Sequence, residues 1–168
     1  IVQIVNAILG NLDLTEDQLC AGDLNGDGGL NILDIVAIVN LILDAKQVDA
    51  TSARIYESGD WLKINANGYI GGVQMTLSHS SDFSIEITDK TLHGIADYKT
   101  NGYETTLIIV NPISDELFMA NGDYEIVNLI VANSREEVDV IISPQSYELG
   151  SAYPNPFNPT MAMDLTLT

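Results

Sequence analysis

The densest grouping of side chains able to do chemistry is Asp23-Leu24-Asn25-Gly26-Asp27-Gly28-Gly29-Leu30-Asn31-Ile32-Leu33-Asp34. Counted from Asp23, oxygen-bearing side chains fall at positions 1, 3, 5, 9 and 12. Gly28 stands at the sixth position, where the backbone must turn sharply, and Gly29 at the seventh can offer its carbonyl oxygen. A hard cation such as Ca2+ takes six to eight oxygen ligands, and this spacing wraps a chain around one. Without a cation, Asp23, Asp27 and Asp34 would repel one another by about 4 kcal/mol per pair at ~4 Å and an effective dielectric of ~20. The ion removes that repulsion, so binding and local folding are expected to be coupled. The plain alternative is a polar, glycine-rich turn with no ion.

No other grouping suggests catalysis. His79 and His93 are the two histidines, and His79 lies between Ser78 and Ser80. Adjacent residues of a strand point to opposite faces, which is poor geometry for a Ser–His proton transfer. There is no glycine-rich phosphate loop and no zinc spacing, so a non-enzyme is expected. Trp61, Tyr69, Tyr98, Tyr103 and Tyr124 are expected in the core or at scattered surface positions, with a sugar-stacking platform as the sharper alternative.

The balance of 24 acidic against 6 basic residues gives a net charge of -18 over 168 residues. That surface repels nucleic acid and anionic lipid and attracts divalent cations. No apolar run has the length of roughly 18 residues that spans a bilayer, and no signal peptide is recognisable, so secretion implies a leader outside this chain. The single cysteine, Cys20, allows no internal disulfide. It is expected as a small buried residue beside the loop, with an intermolecular bridge as the sharper alternative.

The elements that must position the loop come from an internal repeat. Residues 1–9 align with residues 35–43 at an offset of 34, with seven of nine identities. The second copy follows the loop and carries helix-start signals: Asn31 can cap, and Asp34 sits three residues on. Both copies are therefore expected to be helical, although the uncharged, β-branched first copy also suits a strand or stacked fibril. The first copy's own loop would lie just before residue 1. Thr15-Glu16-Asp17-Gln18 marks a further short helix.

Beyond residue 50 the pattern alternates. Strands are expected at Arg54–Glu57, Trp61–Ala66, Gly72–Ser78, Phe83–Thr88, Gly94–Lys99, Glu104–Val110, Tyr124–Ala132 and Val138–Ile142, with Asn67-Gly68, Asn101-Gly102 and Asn121-Gly122 as tight turns. About eight short strands at this spacing indicate a β-sandwich. Residues 144–168 hold four of the five prolines. They predict an extended path followed by an alternating strand of Met161, Met163, Leu165 and Leu167. Such a strand needs a sheet. It could join its own sandwich, a further domain, or a neighbouring copy by strand addition. The organisation expected is α+β: a helical module over 1–46, an all-β antiparallel sandwich over 51–143, and a proline-rich linker with a terminal strand over 144–168.

Residues 1–46 resemble a dockerin, the duplicated calcium-loop and helix module of secreted polysaccharide-degrading assemblies, in which the loop ends in Asp as at Asp34. The resemblance implies Asp23, Asn25, Asp27, Asn31 and Asp34 as Ca2+ ligands, with Gly29 through its backbone. The first loop is missing, leaving at most one site. Ile32 and Leu33 occupy positions where dockerins often read their partner, and core packing is the favoured reading for them. Ile70–Ser78 looks like a strand of cohesins, the β-sandwich partners of dockerins, and Tyr124–Ala132 fits the same sandwich. The tail from Tyr147 resembles the opening of C-terminal sorting or Ig-like modules of secreted bacterial proteins. Three functions follow as expectations for an extracellular or cell-surface protein. One is a structural subunit that forms a filament with copies of itself by strand or module exchange. The second is a scaffold or binding module whose dockerin-like part docks on a cohesin-like sandwich, within the chain or on another protein. The third is a polysaccharide-binding piece of a secreted glycosidase.

Overall fold

A computed structural model describes residues 1–43, 47–87, 95–143, 147–149 and 165–167. Three helices lead the chain: α1 (Val2–Ile8), α2 (Glu16–Gly22) and α3 (Ile32–Leu43). Both copies of the repeat are thus helical. At the start of α2 the Gln18 N–H donates to the Thr15 hydroxyl oxygen at 3.3 Å, and the Thr15 N–H donates to Gln18 Oε1 at 3.0 Å. This reciprocal cap satisfies two amides that the helix leaves over. At the start of α3 the Leu33 N–H donates to Asn31 Oδ1 at 2.7 Å, and the Asn31 N–H donates to Asp34 Oδ2 at 3.0 Å.

Nine strands follow: β1 (Ser52–Ser58), β2 (Trp61–Ala66), β3 (Gly72–His79), β4 (Ser84–Ile87), β5 (Ala96–Asn101), β6 (Glu104–Val110), β7 (Glu116–Asn121), β8 (Tyr124–Ala132) and β9 (Asp139–Ser143). They form two sheets, ordered β4-β7-β2-β1-β9 and β5-β6-β3-β8. Ile55, Leu62, Ile64 and Phe118 of the first sheet pack with Val73, Met75, Leu77, Leu107, Ile109 and Val131 of the second in one core. The alternation read from the sequence places these residues on the inner faces. The expected antiparallel sandwich needs one correction. β9 pairs with β1 in parallel, from Ser52↔Asp139 to Tyr56↔Ser143. The chain leaves β8 in one sheet and crosses to the other before β9, so no hairpin dictates an antiparallel entry.

β7 is a strand that alternation does not reveal. Its sequence, Glu-Leu-Phe-Met-Ala-Asn, places Leu117 and Phe118 side by side, and both are fully buried. Pairing with β2 shifts register between Leu62 and Lys63, so that Leu117 is the extra residue of a bulge and adjacent side chains escape strict alternation. The Asn-Gly turns also diverge. Asn101-Gly102 closes the β5–β6 hairpin, with Gly102 at φ +64°. Asn121-Gly122 instead carries the chain from one sheet to the other. Asn67-Gly68 is not a hairpin turn: Asn67 Oδ1 accepts from the Thr51 and Ser52 N–H groups, and a Cβ on Gly68 would stand 2.7 Å from Ala50 N.

The helices lie on the outer face of the four-stranded sheet. Ile4, Val5, Leu9, Ile32, Ile35, Val36 and Val39 bury themselves with Ile108, Val110 and Ala132 of that face. Two adjacent glycines permit the approach. A Cβ on Gly71 would meet Val36 Cγ1 at 2.6 Å, and one on Gly72 would meet Ile32 Cγ1 at 2.5 Å. Polar bonds fix the seating. The Ile32 N–H donates to Gln74 Oε1 at 3.0 Å, Asn40 Nδ2 to the Ser134 carbonyl at 2.7 Å, and Lys99 Nζ to the Gly10 carbonyl at 2.6 Å. Ile32 is fully buried in this contact, and Leu33 packs partly against the same cluster.

Two further corrections concern Cys20 and the tail. Cys20 is exposed, because α2 buries only Gly22, which packs against Leu30, and turns the rest of its surface outward. β10 (Tyr147–Leu149) and β11 (Leu165–Leu167) pair with each other in a separate two-stranded sheet. The terminal segment therefore does not join either sheet of its own sandwich. The proline run and Met161 and Met163 lie outside the described residues, as does His93.

Candidate metal centre

α2 delivers the start of the loop and α3 receives its end. Asp23 caps the C-terminus of α2, and Asp34 lies in the first turn of α3. Gly26 (φ +73°) and Gly28 (φ +91°) take backbone conformations that L side chains rarely adopt, with open space around both. Their positive φ values curl the chain so that its amides point at the carboxylates. Asp23 Oδ1 accepts from the Gly26 N–H at 2.9 Å and the Asp27 N–H at 3.1 Å, while Oδ2 accepts from the Gly28 N–H at 2.9 Å. Asp34 is completely buried, and its Oδ1 accepts from the Leu24 N–H at 2.8 Å and the Asn25 N–H at 3.3 Å.

Asp27 occupies the middle of the loop. Its Oδ1 accepts from the Gly29 N–H at 2.9 Å, and its Oδ2 accepts from Asn25 Nδ2 at 2.6 Å and Asn31 Nδ2 at 3.2 Å. The Asn25 amide, then the Gly29 N–H, and to a smaller extent Asn31, hold this carboxyl below the usual 3.8 against a modest opposing effect of desolvation. The five side chains proposed from the sequence are therefore linked through one hydrogen-bonded loop.

The donor chemistry fits a hard divalent cation, since three carboxylates, two carboxamides and a backbone carbonyl are all oxygen donors. Two carboxamides face Asp27 through nitrogen, whereas a cation needs their oxygens. Those oxygens already accept from backbone, Asn25 Oδ1 from the Asp27 N–H at 3.0 Å and Asn31 Oδ1 from the Leu33 N–H at 2.7 Å, so a cation would have to share or displace these bonds. Among the described residues, no group of three or more His, Cys, Asp or Glu side chains is gathered as a formed metal site. The loop amides hold the carboxylates in their place.

His79 is engaged structurally. Its Nε2 lies 2.8 Å from the Thr105 hydroxyl, its Nδ1 lies 2.9 Å from the Ser80 carbonyl, and its ring stacks on Phe83 at 4.2 Å. The five aromatic rings named from the sequence are scattered, with Trp61, Tyr98 and Tyr124 on strands of the two sheets, Tyr103 in the β5–β6 turn and Tyr69 between β2 and β3. Tyr98 and Tyr103 are exposed along β5 and its turn, whereas Trp61 and Tyr124 line one cavity at the end of the sandwich. Sequence reasoning missed Gly71, Gly72 and Gln74 as the seat of the helices. The adjacent glycines at the mouth of a strand were the available signal.

No family model matches this chain, and no curated protein does. Among solved structures the chain is similar to the non-cellulosomal cohesin from the hyperthermophilic archaeon Archaeoglobus fulgidus. The identity is 14 %, the match covers 58 % of this chain and 84 % of that one, and the TM-score is 0.36.

Proposed function

We propose that this chain is a non-catalytic protein-interaction module of an extracellular assembly, in which Ca2+ bound by Asp23, Asn25, Asp27, Gly29, Asn31 and Asp34 stiffens a helical unit seated on a β-sandwich. The observation that carries this reading is the continuity between loop and seat. Asn31 and Asp34 cap the helix whose first residue, Ile32, rests on Gly72 and bonds Gln74. An ion that orders the loop would order the contact as well. The oxygen-only donor set and the strongly acidic surface support calcium as the ion.

Hydrogen exchange with and without calcium tests the proposal. Amides of residues 21–43 and of Gly71 to Gln74 should exchange more slowly with the ion present. Equal exchange in both conditions would remove the ion from the function.

A second reading, assembly with further copies, draws on the tail. A two-stranded sheet is marginally stable by itself, and the β10–β11 ladder pairs with no third strand among the described residues. Electron microscopy separates the readings: filaments favour strand exchange between copies, and monodisperse particles exclude it.

A further inference from the structure

We infer that a depression between the β2–β3 and β6–β7 connections is a site for a neutral saccharide, organised around Asn111. Among the described residues, four polar side chains are buried: Asp34, Thr105, Asn111 and Asn133. Three of them are bonded. Asp34 accepts loop amides, and the Thr105 hydroxyl meets His79 and Thr100. Asn133 donates to the Ala50 carbonyl and accepts from the Arg135 and Glu136 N–H groups. The Asn111 carboxamide makes no hydrogen bond, although the residue is only 5 % exposed. No side-chain nitrogen or oxygen among the described residues is both fully buried and unbonded, so the polar atoms of Asn111 reach open space. The open space that Asn111 lines is a depression of about 430 Å3. Its backbone is constrained as well. Asn111 is the one non-glycine at positive φ among the described residues, at +53°, although it precedes Pro112, which favours an extended neighbour. Its N–H donates to the Gly71 carbonyl at 2.7 Å and fixes that posture. Unpaired buried amides are costly, and they and strained backbone gather at binding sites.

The lining decides the ligand. Asp115 is the one charged residue in it, and Lys63 Nζ stands 3.7 Å from that carboxylate. In a chain of net charge -18 this is a nearly neutral surface, with no counter-charge to offer an ionic ligand. Gln47 and Asn65 line the depression with Asn111, and a carboxamide donates and accepts side by side. Neighbouring hydroxyls of a sugar ring do the same. Tyr69, Pro112 and Ile113, the last 61 % exposed, add the apolar surface that the C–H face of such a ring needs. An extended peptide fits less well. β7 accompanies β2 only as far as Ile64, whose N–H donates to the Asp115 carbonyl at 2.7 Å. Only Asn65 and Ala66 of β2 lie beyond it, too short a run for strand addition.

The test titrates the full chain with soluble neutral hexasaccharides of glucose, xylose and mannose and follows side-chain amide resonances by NMR. The Asn111 resonance is the one missing from Asn111→Gly. At least one sugar should shift it. Asn111→Gly should weaken that binding about tenfold at an unchanged thermal midpoint, since glycine takes positive φ readily and only the amide is lost. Asn65→Ala, at an exposed position of β2, should weaken it several-fold and carries the comparison if the glycine variant fails to fold. Tyr103→Ala, on the exposed β5–β6 turn, should leave it within about twofold. Silence of the Asn111 resonance with all three sugars would overturn the inference. So would full binding by Asn111→Gly, equal weakening by Tyr103→Ala, or a response only to a neutral glycine–serine octapeptide.

Discussion

Asp34 shows how one side chain can serve two purposes. Spacing alone marks it as the last oxygen of a cation loop, but its burial makes it structural as well. Its carboxylate accepts from the amides of Leu24, Asn25 and Asn31. Asp34→Ala should therefore destabilise the chain by about 1–3 kcal/mol even with calcium chelated, because three amides lose their acceptor and a buried side chain is truncated. Urea unfolding in chelator measures this. Asp34→Asn keeps one acceptor oxygen and should fall between the two. If the alanine variant unfolds at the parent's midpoint in chelator, the carboxylate matters only through a cation. Gly71 and Gly72 teach the opposite lesson, since their role lies in what they lack. Their adjacency at the mouth of β3 marks a close approach, but what approaches is decided only when Val36 and Ile32 are placed against them.

At the scale of elements, the helices were legible because caps act locally. Thr15 and Gln18 stand three residues apart, and the capping box they form depends on nothing distant. Thr15→Ala should cost about 1 kcal/mol, read as a lower thermal midpoint and as fraying of α2 in amide exchange. Because Asp23 is the C-cap of that helix, the variant should also disturb the loop. An unchanged midpoint would show that α2 is held by its packing alone. Strands were legible where one face is wet, as in β2, with buried Leu62 and Ile64 separated by half-buried Lys63. β7 was hidden because a bulge against β2 breaks the alternation that reveals a strand, and a bulge is a property of the pair. The parallel entry of β9 likewise depends on which sheet the chain has just left.

At the scale of the molecule, helices and sandwich share a core. Ile108 and Val110 point away from Leu107 and Ile109, yet all four are buried, because the helices cover one face and the second sheet covers the other. Removing residues 1–43 should uncover an apolar face on β3, β6 and β8. The remaining chain should then bind a hydrophobic dye and associate as its concentration rises. Fluorescence and light scattering check this. A monomeric, dye-silent fragment would mean that the sandwich does not need its helical cover.

By itself the sequence determined whatever rests on neighbours in the chain: the oxygen spacing of the loop, the two helical copies, the cap of α2 and most strands. Tertiary structure decided what the same residues face. Val2 and Val36 hold matching places in the repeat, yet Val2 is 68 % exposed and Val36 is 2 % exposed. Their helices offer the same surface, and only the second has a sheet with two glycines waiting beneath it. Local propensity acts through hydrogen bonds a few residues long, whereas burial depends on which distant surface arrives, and no short stretch of sequence encodes that.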